Sequence, residues 1–307
     1  MAINTLATAI LFQQQLDKQM IEGATSGWME QNAGQVKYSG GADVKIPKIN
    51  MDGLGNYDRD NGYVQGGVTL AYGTYTMTQD RGRKFQLDAM DVDETSFVAA
   101  AANVTTEFQR TKVIPEVDAY RYSKIAVLAA EKAHKTEYTP ATADILAKFL
   151  ADISAVQDVV GENEPLVVTM SIPAATILAQ ADKIEKRLDV MQFAQGGIQL
   201  KVNSIDNTPI LRVPSARMKT SYVFNDGKTT GQTVGGFAPA SSAADINWII
   251  TSRRAPIAIS KTDTMKIFDP VTNQTAHAWL IEYRKFHDLW IPDNQLDAVW
   301  VNQKPKS

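Results

Sequence analysis

The sequence predicts an α+β fold, on three observations: a long β-hairpin between Ala42 and Met90, a strong helical stripe directly after it, and a strand-rich C-terminal half. In the hairpin, Val44, Ile46 and Ile49 give an extended entry run and Asp52 to Gly62 is a turn-rich reversal. Val68 to Met77 then returns, with Val68, Leu70 and Tyr72 alternating against Thr69, Ala71 and Gly73. A two-stranded ribbon alone is marginal in water, so this one needs a cover. The expected cover is another copy of the same protein.

Ahead of the hairpin, residues 1–41 read as an arm. Ile3, Leu6 and Ile10 form one short helical stripe and Phe12, Leu16 and Met20 another, while Gln13, Gln14, Gln15 and Gln19 keep the surface polar. Two stripes on a short helix suit contact with more than one surface; a helix packed on its own subunit is the plainer alternative. Gly23 to Gly41 has the Gly, Ser, Asn and Gln content of a connector.

After the hairpin, Asp91 followed by Glu94 forms a capping box with Asp in place of Ser or Thr, and Phe97, Ala101, Val104 and Phe108 mark one apolar helical face. A second helical segment opens at Pro115, with Glu116 and Asp118 at its positive end and Lys132, His134 and Lys135 at its negative end. The two make a helical spine. Asp91, Asp93 and Glu94 also admit a metal reading, but three carboxylates in a first turn are ordinary cap and dipole chemistry.

From Thr142 helices and strands alternate. Ile145, Phe149, Ile153 and Val156 mark a helix, Leu166 to Met170 a buried strand, and Pro173 to Asp182 a helix begun by proline. Strand-like runs follow at Ile198 to Val202, Pro209 to Val213 and Ser221 to Asn225. Asp226 to Ala244 reads as an exposed loop, and strands resume at Ile246 to Thr251, Ile257 to Ser260, Met265 to Phe268, Ala278 to Ile291 and Asp297 to Val301.

Composition bounds the function. The 307 residues, 44% hydrophobic and 21% charged, can bury a large core. Without cysteine there is no disulfide, thiolate metal site or Cys nucleophile. No run of about 18 apolar residues occurs, so no membrane partner is expected. The net charge of −3, from 31 basic and 34 acidic residues, argues against a dedicated nucleic-acid binder.

Catalytic motifs fail one by one. His134, His277 and His287 sit in no nucleophile or metal motif. Gly227-Lys228-Thr229 echoes a phosphate loop, but the glycine needed five positions earlier is Tyr222. Asp58, Asp60 and Gly62 echo a calcium loop, but the closing position, eleven after Asp58, is Thr69. No catalytic, cofactor or metal residue is assigned.

The segments Gly53-Leu54-Gly55-Asn56-Tyr57-Asp58-Arg59 with Gly62-Tyr63, Thr78 to Arg83, and Phe85 to Asp91 resemble the major capsid proteins of tailed bacteriophages. Arg110 to Arg121 and Ala278 to Asp288 are similar to the same group, and the matches run in order from about residue 43 to the end. The resemblance implies the Hong Kong 97-type coat fold. Its parts would be an N-terminal arm (1–41), an extended loop (42–88), a peripheral domain with a long spine helix (89–135), an axial domain (136–264) and peripheral return strands (265–307). It further implies an icosahedral shell of hexamers and pentamers around double-stranded DNA held by weak, non-specific contact, with assembly in the bacterial host cytoplasm and residence in the virion. Some relatives carry a helical pro-segment that acts as an internal scaffold, whereas this chain opens almost at once with the arm, so either a separate scaffold protein is expected, and a portal with it, or the chain is already the mature form. Lys45 and Lys48 lie near the loop, but no motif supports Lys to Asn cross-linking there.

The intersubunit contacts expected are Leu6, Ile10 and Phe12 on the arm, Val68, Leu70 and Tyr72 on the loop, and Arg81, Arg83 and Lys84 where the loop rejoins the body. The three basic residues are expected to meet carboxylates, of a neighbour or of their own spine. Two other classes stay open: a nanocompartment shell of the same fold, and a soluble α/β enzyme.

Overall fold

The computed structural model describes residues 23–35, 37–38, 42–88, 105–181, 184, 188–195 and 198–306. Leu6, Ile10 and Phe12, the capping pair Asp91 and Glu94, and Phe97, Ala101 and Val104 lie outside them.

The first element among the described residues is a 3-10 segment, Gly27–Gln35, whose Trp28 and Met29 are buried. Strands β1 (Lys37–Tyr38), β2 (Asp43–Met51) and β3 (Val68–Thr76) form an antiparallel sheet in that order. β2 and β3 pair without a slip from Asp43 opposite Thr76 to Met51 opposite Val68, which gives the expected hairpin. At its base Val44, Ile46 and Met77 pack on Ile257, Ile259 and Trp290, with Tyr75 beside them. One face of the ribbon is thereby anchored to its own body.

β4 (Gln79–Asp88) follows, then the spine: a helical turn at 105–108, a π-turn at Gln109–Val113, and α1 (Ile114–Glu131). Proline at 115 has no N–H to offer the carbonyl of Thr111. The helix widens just before it, with the Ile114 N–H reaching the Gln109 carbonyl.

β5 (Lys135–Glu137), α2 (Ile145–Val160), β6 (Leu166–Ser171), α3 (Ile172–Ala179), β7 (Leu188–Gln195), β8 (Ile198–Ile205) and β9 (Thr208–Val213) come next. β8 and β9 join through Asp206 and Asn207, both at positive φ, as a two-residue hairpin turn requires. The chain ends with β10 (Tyr222–Phe224), β11 (Phe237–Pro239), β12 (Ile246–Ser252), β13 (Ile257–Phe268), β14 (Ala278–Trp290) and β15 (Val299–Gln303).

Seven strands form one mixed sheet, in the order β5-β15-β12-β6-β9-β8-β7. Residues on its central strands alternate between two cores. Val167 and Ile249 face Tyr122, Ile125 and Ala129 of the spine. Val168, Met170, Trp248 and Ile250 face Ile145, Phe149 and Ile153 of α2 and Ala174 and Leu178 of α3. The full burial of β6 and β12 follows from helices on both faces.

A second, three-stranded antiparallel sheet has the order β13-β14-β4. Its inner face meets the spine, where Val113, Val117 and Tyr283 are buried and Phe108 and Met265 pack against them.

Three sequence expectations need correction. Residues 79–88, read as the end of the extended loop, form β4 and pair with β14 from Gln79 opposite His287 to Asp88 opposite Ala278. The stretch 265–307 does not return as one unit, because β15 pairs with β12 and β5 in the seven-stranded sheet. The tract 226–244 is not loop throughout, since β11 within it pairs with β10.

Candidate assembly surfaces

Strand alternation sends the ribbon's side chains to two faces. Val44 and Ile46 turn to the body. Pro47, Ile49 and Met51 share the other face with their cross-strand partners Tyr72, Leu70 and Val68. That face is wet: Ile49 is 56% exposed, Met51 67%, Val68 70%, Leu70 58% and Tyr72 47%. Leu54, Tyr57, Tyr63 and Val64 in the connecting segment are also exposed. Nine of the sixteen large hydrophobics that the described residues expose thus fall between positions 49 and 72. A monomer rarely leaves so concentrated an apolar surface uncovered.

The connecting segment is pinned within itself. The Asp52 carboxylate accepts the Gly67 N–H at 2.8 Å, and Asp58 accepts from the Asp60 N–H at 2.9 Å and the Asn61 amide at 2.7 Å. Those bonds hold the Asp58 carboxyl below the usual carboxylate range. Of the two carboxylates that resembled a calcium loop, that of Asp58 is engaged by the turn. Among the described residues no group of three acidic or histidine side chains is placed to hold a metal.

The three basic residues of β4 separate by face. Arg81 points inward and takes the local alternative: its Nε lies 2.6 Å from Glu116 on the spine, and its other nitrogens donate to the carbonyls of Asn225 and Gly236. Arg83, on the same face, reaches among the described residues the Thr233 carbonyl, at 3.3 and 3.4 Å. Arg81 thus takes the spine alternative that the sequence left open, while Arg83 meets no carboxylate among the described residues. The cause is β4 itself, whose pairing turns odd-numbered side chains toward the spine. Lys84 points the other way and is exposed.

The strongest polar anchors went unread in the sequence. Asp118, fully buried on α1, accepts from the Thr25 and Ser26 N–H groups at 3.1 Å, their hydroxyls at 2.8 and 2.6 Å, and Arg217 at 3.0 Å. One turn on, buried Arg121 donates to the Ser26 carbonyl at 3.2 Å and to Glu30 at 2.5 Å. Burial works to raise the Glu30 carboxyl, but Arg121, Lys285 and the hydrogen bonds from Arg121 and Ser260 outweigh it and hold the group below its usual range. This clasp fixes where residues 25–30 leave the body. Asp288 of β14 does the same for the hairpin's exit, accepting from the Thr78 N–H and hydroxyl at 2.9 Å and from the Tyr120 hydroxyl at 2.5 Å. Acidic residues near a helix start usually signal dipole chemistry, which hid Asp118; its i, i+3 spacing to Arg121 beside Tyr122 and Ile125 was the available clue.

No family model and no curated protein matches the chain. Solved structures do. The capsid of the cyanophage P-SCSP1u superposes with a TM-score of 0.55 at 10% identity, covering 88% of this chain and 86% of that one. The mature capsid of bacteriophage PhiM1 gives 0.54 at 10% identity over 86% and 82%. The fold is that of phage capsid proteins. A virus-like particle from Pyrococcus furiosus is similar as well, with a TM-score of 0.52 at 10% identity over 94% of this chain and 98% of that one. The capsid fold gives the surfaces above their context: a two-sheet body with a spine helix, from which one hairpin presents an apolar face. No helix among the described residues is long and apolar enough to cross a membrane.

Proposed function

We propose that this chain is a major capsid protein that self-assembles into the icosahedral head of a tailed phage. The observation that carries the reading is the hairpin: one face is bound to its own body and the other holds Ile49, Met51, Val68 and Leu70 in solvent. Covering that face with a neighbouring copy removes the exposed apolar surface, and repetition of one heterologous contact closes rings. In this reading the five-part division of the chain holds with two changes: β4 joins the peripheral unit and β15 the axial one. Leu6, Ile10 and Phe12 of the arm and Lys84 on the outer face of β4 supply further contacts between subunits.

The role is structural and not enzymatic, and the place of action is the virion. Hexamers and pentamers, a separate scaffold protein, a portal and weakly held double-stranded DNA complete the proposal. Near-balanced charge suits a container whose DNA must slide during filling and ejection. The length over which the chain follows the Pyrococcus furiosus particle supports a second reading, a nanocompartment shell.

Negative-stain microscopy of the purified protein, with an absorbance ratio for nucleic acid, tests both. Closed shells support a coat role, and nucleic acid or protein inside separates the two readings. A monomer at all concentrations and with any scaffold would refute both.

A further inference from the structure

A cleft of about 480 Å³ lies between β4, the π-turn of the spine, β14 and the segment 225–236. Its floor is aromatic: Phe108 meets Phe85 edge-on at 4.9 Å and Tyr283 at 5.9 Å. Five basic and three acidic residues line it, an excess of two positive charges.

Most of those charges are engaged. Arg81 is paired with Glu116, Lys285 with Asp263, and Asp80 with Arg284. Asp226 accepts from the Lys228 and Thr229 N–H groups and the Thr229 hydroxyl of its own turn. That leaves Arg83, Lys112 and Lys228 with no carboxylate partner among the described residues. Gly227 keeps the loop close to the guanidinium, since a Cβ there would stand 3.1 Å from Arg83 Nη1.

A second observation comes from β14. His287, 3% exposed, lines the same cleft, and its Nδ1 has no hydrogen-bond partner among the described residues. A buried ring nitrogen left unpaired is costly unless something else meets it. Burial, then the positive charges of Arg121, Lys285 and Arg81, pushes its pKa well below the ordinary histidine value, so the ring is not a fourth cation.

We propose that this cleft is a binding site for a phosphate-class anion, held by Arg83, Lys112 and Lys228, with the unpaired His287 ring in its wall. The guanidinium fork suits two oxygens of one phosphate and the lysines act as point charges on the others. The excess of two positive charges is close to the charge of about −1.5 to −2 on a phosphate monoester at pH 7. The aromatic floor leaves room for a sugar or base, so the phosphate can be free or belong to a nucleic-acid strand. The lining residues all come from one subunit, so the isolated chain is the species to test.

Calorimetric titration and thermal melting of the full chain test it, with inorganic phosphate against chloride at equal ionic strength, and separately with a 12-nucleotide single-stranded DNA. The variants are Lys112→Gln with Lys228→Gln, both exposed and harmless to folding, Arg83→Gln, and exposed Lys148→Gln as control. Saturable binding and a raised Tm are expected in the native chain and the control, with affinity at least tenfold weaker in the double variant and in Arg83→Gln. Phosphate alone binding identifies a free anion; binding of the oligonucleotide in the same variant-sensitive way identifies the strand. Failure of both to bind, or equal binding by native and variant chains, overturns the site.

Discussion

Replacing Leu70 by Asp separates assembly from folding. In the isolated subunit Leu70 is 58% exposed and lies opposite Ile49, itself 56% exposed, so a carboxylate there remains hydrated and folding should change by less than about 0.5 kcal/mol. In the proposed shell the same position would be covered. Ile49, Met51, Val68 and Leu70 together hold the exposure of about two and a half whole side chains, worth about 4–8 kcal/mol per subunit once buried. Leu70 alone accounts for about 1–2 kcal/mol of that, and an unpaired carboxylate in its place adds a desolvation penalty of several kcal/mol. Repeated over every subunit, the loss should abolish closed shells. Urea denaturation reads the first quantity; sedimentation velocity and negative-stain microscopy read the second. Ile46→Asp is the contrast, because Ile46 is 5% exposed on the anchored face and its replacement should unfold the hairpin base. Normal shells from folded Leu70→Asp protein would show that the exposed face is not an interface.

Asp118→Ala strips a fully buried carboxylate from five donors and leaves Arg217 unpaired. It should cost about 3–5 kcal/mol in urea denaturation, and a cost below 1 kcal/mol would mean that the clasp is not an anchor. Phe108→Ala removes a partly buried ring between Phe85 and Tyr283 and should cost about 2 kcal/mol, below the 3–5 of a fully buried phenylalanine; calorimetric melting measures it, and an unchanged Tm would remove Phe108 from the spine contact. His287 has a depressed folded-state pKa, so below pH 6.5 the unfolded chain binds a proton that the folded chain does not, and stability falls as pH drops. Between pH 7.5 and 5.5 this one group should remove about 1 kcal/mol, a loss that His287→Phe should largely abolish relative to the native chain in paired denaturation curves.

What was legible in the sequence was whatever carried a period or an apolar run. The hairpin and α2 show a two- or 3.6-residue repeat because each buries one face, and β6, β12 and β14 show as short apolar runs because they are covered on both sides or nearly so. β4 escaped for the opposite reason. Gln79 to Asp88 is charged, has Gly82 near its centre, and earns its strand conformation from β14, some 200 residues away. The glycine has a steric cause: a Cβ at Gly82 would stand 2.8 Å from the Tyr283 carbonyl oxygen. Placing β4 changes what Arg81 and Arg83 mean, since a loop base would free them for a neighbour while a paired strand turns them inward to Glu116 and the cleft.

The same distinction separates the two kinds of surface in this molecule. Apolar residues that alternate yet stay wet, as Ile49, Met51, Val68 and Leu70 do, can be recognised from pattern alone, because a sequence that keeps a buried-type face without a local partner implies an external one. Polar residues give no such signal. Asp118, Arg121, Asp288 and His287 are buried because the seven-stranded sheet, the three-stranded sheet and the spine converge on them, and each element is apolar enough to read by itself. Their burial is a property of the assembly of elements. The clasp at Asp118 and the exit bond at Asp288 set the directions in which residues 25–30 and the hairpin leave the body. In the proposed shell, built by repeating one contact, those directions would decide where the next subunit sits, so the buried carboxylates would bear on assembly geometry from inside their own subunit.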